Sequence, residues 1–290
     1  MSQVKTNAII MAAGTSSRFV PLSSERPKGL LEVKGEILIE RQIRQLREAG
    51  VEEIAVVTGY MADDFDYLKG KFGVDIVYNA DYERYNNTSS LIRVLDRLAD
   101  TFVCSSDNYF PGNVFIPDAE SSYYSALYAS GPTDEYCIET DRDDNITAVT
   151  VGGRDSWYMI GHVFFSAGFS RRFAEILREE YNREETRCGY WEDVYIRHIK
   201  ELPQMKIRRY RPSEIYEFDS LDELREFDKS YIPDTRSTVI KDIARQMGCS
   251  EADLHGFRKM NLERKSTRFT FFKGNMEFFY DTRDKSISGI

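Results

Sequence analysis

The chain has 290 residues, 41% hydrophobic and 30% charged, with a formal net charge of −9 at pH 7. That length suits one large α/β domain plus an appendage, and the balance is that of a globular protein. The acidic surplus argues against general nucleic-acid binding, and no apolar run approaches the ~20 residues that span a bilayer, so membrane insertion is not expected.

Met1-Ser2-Gln3-Val4-Lys5 lacks the apolar core of a signal peptide, and cytoplasmic residence is the expectation. The cysteines (Cys104, Cys137, Cys188, Cys249) and histidines (His162, His198, His255) are scattered. Neither a disulfide framework nor a zinc or histidine-based metal site is suggested.

In chain order, Ala8–Met11 reads as a buried strand leading into a small-residue loop. Glu36–Ala49 carries Ile39, Ile43 and Leu46 at helical spacing and closes at Gly50. Ile54–Val57 is a strand, Ala62–Lys69 a short helix and Val74–Tyr78 a strand. Ser89–Leu98 is a helix with a Leu91, Val94, Leu95, Leu98 stripe, and Thr101–Ser105 a strand. This β-α-β-α-β-α-β order predicts a Rossmann-like three-layer sandwich on a mainly parallel sheet, with ligands beyond the carboxyl ends of its strands. Gly14 and Asp107 both fall on that edge.

Strand-like runs then follow at Ser125–Tyr128, Tyr136–Glu139, Ile146–Val151 and Tyr158–Phe165, separated by Asn, Asp and Gly. They predict a mixed-strand extension on the acceptor side of a pocket. Helices are expected at Arg171–Tyr181, Glu192–Lys200 and Leu221–Tyr231, with short strands at Ile207–Tyr210 and Ile215–Phe218. A boundary near Ile232-Pro233-Asp234 divides a 1–231 domain from a 232–290 extension. The extension predicts a helix over Ser237–Met247, a second short helix capped by Ser250, and a hairpin of Thr267–Lys273 and Met276–Tyr280 around Gly274-Asn275.

The loop after the first strand carries the chemistry. Ala12-Ala13-Gly14-Thr15 lets backbone N–H groups approach a phosphate. Arg18 offers a planar fork and Lys28 a compact point charge. The dinucleotide fingerprint and the P-loop both need glycines that this loop lacks. The arrangement predicts a cradle for a nucleoside triphosphate.

Met11-Ala12-Ala13-Gly14, Ser17-Arg18 and Pro27-Lys28-Gly29-Leu30 resemble the signature of nucleotidyltransferases that join a nucleoside triphosphate to a phosphorylated small molecule. Thr15 and Ser16 stand where the usual form has a second glycine, and Gly29 where it has Ala or Pro. The resemblance runs over about residues 7–230 and extends to bacterial CTP:phosphocholine cytidylyltransferases. It implies that Ser106-Asp107-Asn108-Tyr109 matches the segment whose Asp binds Mg²⁺, with Ser105 replacing an outer Asp. It also implies a second metal carboxylate, Asp219, in Tyr216-Glu217-Phe218-Asp219-Ser220, and a base-binding loop, Asn86-Asn87-Thr88-Ser89. The choline pocket is implied at Tyr136, Tyr190 and Trp191, with Glu192 as the cation's carboxylate.

Each segment has a plainer alternative. Asp107 could cap a turn, Asp219 the Leu221 helix, Thr88 or Ser89 the following helix, and the aromatics could be core. Ser266–Tyr280 resembles the opening hairpin of choline-kinase-like phosphotransferases, but no kinase catalytic motif follows and no kinase activity is expected.

The combined reading is a Mg²⁺-dependent cytidylyltransferase acting on CTP and a small phosphorylated amino alcohol, phosphocholine. Alternatives are another acceptor (2-aminoethylphosphonate, phosphoethanolamine or a sugar 1-phosphate) and a non-catalytic nucleotide sensor acting through the tail. The sequence leaves the oligomeric state open.

Overall fold

The computed structural model describes residues 5–117, 119–260 and 268–290. In chain order the strands are β1 (Asn7–Ala12), β2 (Glu32–Val33), β3 (Glu36–Ile37), β4 (Glu53–Thr58), β5 (Asp75–Tyr78), β6 (Thr101–Ser105), β7 (Asn108–Tyr109), β8 (Tyr123–Thr140), β9 (Ile146–Phe165), β10 (Lys206–Arg209), β11 (Tyr216–Glu217), β12 (Leu254–Lys259), β13 (Arg268–Lys273), β14 (Met276–Asp281) and β15 (Ser286–Gly289). The α-helices are α1 (Leu22–Glu25), α2 (Leu38–Glu48), α3 (Tyr67–Phe72), α4 (Thr88–Leu91), α5 (Ala167–Glu180), α6 (Glu184–Cys188), α7 (Trp191–Arg197), α8 (Leu221–Phe227) and α9 (Thr238–Met247).

The chain forms two compact units. One joins the residues up to Gly14 to Ile39–Glu217, and the other joins Thr15–Leu38 to Phe218–Ile290. The boundary expected near residue 232 marks where the family resemblance ends, which is a different division.

The first unit holds a sheet in the order β10-β8-β9-β6-β1-β4-β5. β1 pairs in parallel with both β4 and β6, and β4 with β5. Ala8, Ile9 and Ile10 in β1 are all buried, as a central parallel strand covered on both faces requires. Burying each isoleucine contributes roughly 1.5–3 kcal/mol. β9 pairs antiparallel with both β6 and β8, giving the mixed extension. The Rossmann-like architecture expected from the sequence is therefore present.

Four expected short strands prove to be two long ones, β8 and β9. Gly152-Gly153 does not end a strand. Gly152 adopts φ +78° and Gly153 lies where a Cβ would meet the Cys137 Sγ at 2.8 Å. The ladder shifts register there, so the glycines permit a bulge inside the hairpin. The helix expected at Ser89–Leu98 becomes α4 followed by a 3₁₀ segment over Ile92–Arg97. α6 has no counterpart in the sequence reading.

The second unit carries a four-stranded antiparallel sheet, β12-β13-β14-β15. The β13–β14 hairpin turns at Gly274, φ +58°, as the Gly-Asn pair predicts. Ser266 and Thr267 lie outside the described residues. Strands β12 and β15 are additions that periodicity alone did not reveal. α9 is capped by the Ser237 side chain and closed by Gly248 in the left-handed region.

Candidate active site

The carboxyl edge of the sheet gathers several expected site residues in the first unit. Ala12 ends β1, and Met11 lies in register with Ser105 of the neighbouring β6. The Ser106 N–H donates to the Met11 carbonyl at 3.1 Å, so the Asp107 turn starts beside the Gly14 loop. Ala13 is buried, and its carbonyl accepts from the Tyr60 N–H at 3.1 Å. Gly14 is exposed, and a Cβ there would meet nothing within 4 Å. Its backbone does not need glycine's freedom; Ser16, at φ +46°, is the left-handed residue of the loop. The absence of a side chain at Gly14 thus serves open space rather than the fold.

Asp107 is partly exposed on the turn between β6 and β7. Helix α2 holds that turn. The Gln42 side-chain amide donates to the Ser105 carbonyl at 2.8 Å and the Asn108 carbonyl at 3.0 Å, bracketing Asp107. Gln45 donates to the carbonyls of Phe110 (2.9 Å) and Gly112 (3.0 Å), and Arg41 Nε to that of Phe110 at 2.9 Å. Gln42 and Gln45 are buried beside Ile39, Ile43 and Leu46. Polar residues inside an apolar helical stripe were the available signal for this clamp, and the sequence reading passed over them. Asn108 donates to Glu217 Oε2 at 3.1 Å, tying β7 to β11.

The base loop and the acceptor segment meet. The Asn87 side-chain oxygen accepts from the Trp191 N–H at 2.8 Å, and its nitrogen donates to Glu192 Oε2 at 3.3 Å. The Asn86 N–H donates to the Arg187 carbonyl at 3.1 Å. Thr88 and Ser89 correct the sequence expectation. Both are fully buried: the Thr88 hydroxyl donates to the Gly189 carbonyl at 2.7 Å, and Ser89 to the Asn86 carbonyl at 2.7 Å. Their hydroxyls build the loop instead of facing a base edge. Neither supplies a side-chain cap to α4.

Trp191 also departs from expectation. At 3% exposure it stacks on Tyr124 (centroids 5.8 Å, 13°) and meets Phe165 and Phe173 edge-on. Its ring is core and does not wall an open cage. Tyr190 is 46% exposed and meets Tyr136 edge-on, with centroids 6.4 Å apart at 79°. The Tyr136 hydroxyl donates to Asp193 Oδ1 at 2.9 Å, while Asp193 Oδ2 accepts from the Tyr190 N–H at 2.8 Å. Asp193 therefore caps α7 and orients Tyr136, a double role the sequence reading missed. Burial, reinforced by Asp193, raises the Tyr136 phenol well above its usual range, so it stays protonated as a donor.

Glu192 accepts from the Tyr124 hydroxyl at 3.1 Å and from Asn87. Burial pushes its carboxyl up to about 7, against the opposing pull of hydrogen bonds from its surroundings.

In the second unit, Arg18, Lys28 and Asp219 come together. Arg18 Nη1 lies 3.0 Å from Asp219 Oδ2, and Lys28 Nζ lies 3.7 Å from Oδ1. The lysine side chain is 5% exposed, with its ammonium 5.8 Å from the Phe19 ring centroid, whereas Arg18 is 77% exposed. The cap of α8 is Ser220, whose hydroxyl accepts from the Glu223 N–H at 3.2 Å. Asp219 is thus relieved of capping, and its carboxylate faces the two cations.

Among the described residues no cluster of three or more His, Cys, Asp or Glu could hold a metal unaided. Asp107 and Asp219 are hard oxygen donors at accessible positions, and Mg²⁺ typically takes one or two carboxylates along with phosphate oxygens and water. Each carboxylate, one in either unit, is of the donor type that this ion takes when a nucleotide supplies the remaining ligands.

Residues 8–179 match the model of the MobA-like NTP transferase domain. The chain belongs to the MobA-like NTP transferase family. This NTP transferase is 37% identical to the 2-aminoethylphosphonate cytidylyltransferase of Lancefieldella rimae, over 79% of this chain and 94% of that one. It is 33% identical to the choline-phosphate cytidylyltransferase of Streptococcus pneumoniae, over 77% and 96%. The solved CTP:phosphocholine cytidylyltransferase of S. pneumoniae superposes with a TM-score of 0.75 at 32% identity, covering 78% of this chain and 99% of that one. The NTP transferase is accordingly a nucleotidyltransferase of the cytidylyltransferase group, and the named relatives differ in their acceptors.

Proposed function

We propose that the protein joins CTP to phosphocholine, releasing pyrophosphate and forming CDP-choline. The observation that carries this reading is the Tyr136–Tyr190 ring pair next to Glu192 and Asp193. A quaternary ammonium donates no hydrogen bonds and is held by ring faces and a nearby carboxylate. The Tyr136 hydroxyl is committed to Asp193, which leaves the ring itself for contact.

In the proposed reaction an acceptor phosphate oxygen attacks the α-phosphorus of CTP in line, and the bond to pyrophosphate breaks. No protein nucleophile is needed; positioning and charge neutralisation supply the rate. The Ala12-Ala13-Gly14-Thr15 backbone cradles the phosphates, with Ser106 next to it. Arg18 and Lys28 hold the triphosphate and stabilise charge developing on the leaving group. Asn86 faces the cytosine, while Asn87, whose side-chain amide is committed to Trp191 and Glu192, holds the base loop against the acceptor segment. Asp107 and Asp219 would hold Mg²⁺, which when bound neutralises phosphate charge. The buried Lys28 keeps its place through Asp219 and Phe19, so its charge needs little reorganisation during reaction. We assign residues 1–231 to this catalytic domain, 232–290 to an extension, and the protein to the cytoplasm.

A second acceptor, 2-aminoethylphosphonate, is favoured by one observation: Trp191 is core, while two carboxylates, Glu192 and Asp193, flank the tyrosines. A free amine prefers carboxylates to rings. Steady-state kinetics with saturating CTP separate the two. Phosphocholine should give a kcat/KM about tenfold or more above phosphoethanolamine, since each ring contact is worth roughly 0.5–2 kcal/mol. Equal values, or faster use of 2-aminoethylphosphonate, would refute the phosphocholine reading.

A further inference from the structure

A cavity of about 620 Å³ lies within the second unit, lined by Ser17, Arg18, Asp219, Glu223, Arg258 and Lys259 among others. Its size falls in the range of small-molecule sites. The lining includes the loop that carries Arg18 and β12, the edge strand of the C-terminal sheet.

β12 is fastened to the helix that follows Asp219. The Gly256 N–H donates to Asp222 Oδ2 at 2.8 Å. The buried Arg225 donates to the carbonyls of Leu254 at 2.6 Å and Glu251 at 2.8 Å. Gly256 sits at φ +63°, where a Cβ would stand 2.8 Å from the Phe272 ring, and the β12–β13 register shifts between His255 and Arg258. A bulge of this kind re-aims the side chains that follow it, and bulges concentrate beside functional sites. Those side chains are Arg258 and Lys259.

The charge around the cavity is unlike that of the chain. Asp219, Asp222 and Glu223 contribute three negative charges. Arg18, Arg258 and Lys259 line the same space, Lys28 lies 3.7 Å from Asp219, and Arg225 lies 3.7 Å from Asp222. Three cations and three carboxylates thus line the cavity, a local balance in a protein that as a whole carries −9. With Lys28 on Asp219 and Arg225 near Asp222, the three lining cations can meet a small polyanion at short range, where salt screens the distant acidic field.

We propose that the C-terminal sheet completes the phosphate site, with Arg258 and Lys259 binding the pyrophosphate end of the nucleoside triphosphate in this cavity. The inference rests on the reading that Arg18 and Lys28 hold the triphosphate. It assigns the extension a part in substrate binding that the cytidylyltransferase relatives, which cover 77–79% of the chain, leave unexplained.

The test uses the full chain with inorganic pyrophosphate as product inhibitor and CTP as substrate. Replacing both cations (Arg258→Gln with Lys259→Gln) should raise the pyrophosphate inhibition constant and the CTP KM about tenfold or more, while the acceptor KM stays within about twofold. Arg258→Lys with Lys259→Arg should keep both constants within about threefold of the parent, because charge is retained. If the glutamine pair lowers the melting temperature, the decisive readout is thermal stabilisation by saturating pyrophosphate, expected for the parent and lost in the variant. Unchanged constants, or equal stabilisation, overturn the proposal provided that Arg18→Ala shifts both. If Arg18→Ala also leaves them unchanged, the reading of the Gly14 loop fails instead.

Discussion

Glu192→Gln isolates the charge at the acceptor end of the site with little change of shape. The carboxylate accepts from the Tyr124 hydroxyl and from Asn87, and a glutamine oxygen can still take either bond. With its carboxyl pushed up to about 7 by burial, Glu192 is about nine-tenths ionised at pH 8 and about one-tenth at pH 6. The sign follows directly. The charged form binds a cation, so acceptor binding weakens as pH falls through 7. The free folded protein prefers the neutral form, so its stability is greatest below about pH 4.5 as far as this group is concerned, and is lost as pH rises through 7. A unit charge about 5 Å from an ammonium is worth roughly 3 kcal/mol at an effective dielectric near 20, and partial exposure reduces this to about 1–2 kcal/mol. At pH 8, Glu192→Gln should therefore raise the acceptor KM about five- to thirtyfold while leaving the CTP KM within twofold. The acceptor phosphate itself titrates near pH 6. The assay is accordingly the ratio of variant to parent KM across pH 5.5–8.5, in which that titration cancels. The ratio should fall towards one below pH 6.5. A ratio that is flat across the range would sink the assignment of Glu192 as the cation's carboxylate.

Other outcomes follow from the same geometry. Gly14→Ala should leave the melting temperature within a degree or two, since a Cβ there meets nothing, yet raise the CTP KM about tenfold or more if phosphate approaches that backbone; an unchanged KM would remove Gly14 from the cradle. Asp107→Ala should abolish turnover with the fold intact, an effect of several kcal/mol on the barrier; near-parental turnover at saturating Mg²⁺ speaks against its metal role. Thr88→Val strands the Gly189 carbonyl and should cost about 1–3 kcal/mol in denaturant unfolding, with the preference for CTP over UTP unchanged; a loss of base preference without loss of stability would return Thr88 to the base site.

The parallel half of the fold was legible because its signals are local. β1, β4, β5 and β6 are apolar runs of strand length separated by amphipathic helices, and right-handed crossovers leave few arrangements for them. The β8–β9 hairpin was read as four pieces because glycine and aspartate mark bulges as well as turns, and a single sequence does not separate the two. The same limit hid β12, whose Gly256 interrupts a strand pattern. At the site, Arg18, Lys28 and Asp219 are separated by up to 201 positions along the chain yet form one ion-paired group. Their residue types suggested roles, and the pairing came from the fold. Trp191 and Glu192 show the converse. Adjacent in sequence, they part at the helix start: one ring enters the core, while the next side chain turns to Asn87 and Tyr124. Neighbours on a helix point about 100° apart, so a buried ring and a polar carboxylate can stand side by side in sequence.

The proposed reaction is the transfer of CMP to phosphocholine. The most direct measurement is pyrophosphate release from each of CTP, UTP, ATP and GTP in the presence of phosphocholine and Mg²⁺, with the product identified by phosphorus NMR. Release with CTP, stoichiometric formation of CDP-choline and little turnover of the other nucleotides are expected. Binding of CTP without release of pyrophosphate with any of phosphocholine, phosphoethanolamine, 2-aminoethylphosphonate or a sugar 1-phosphate would contradict it.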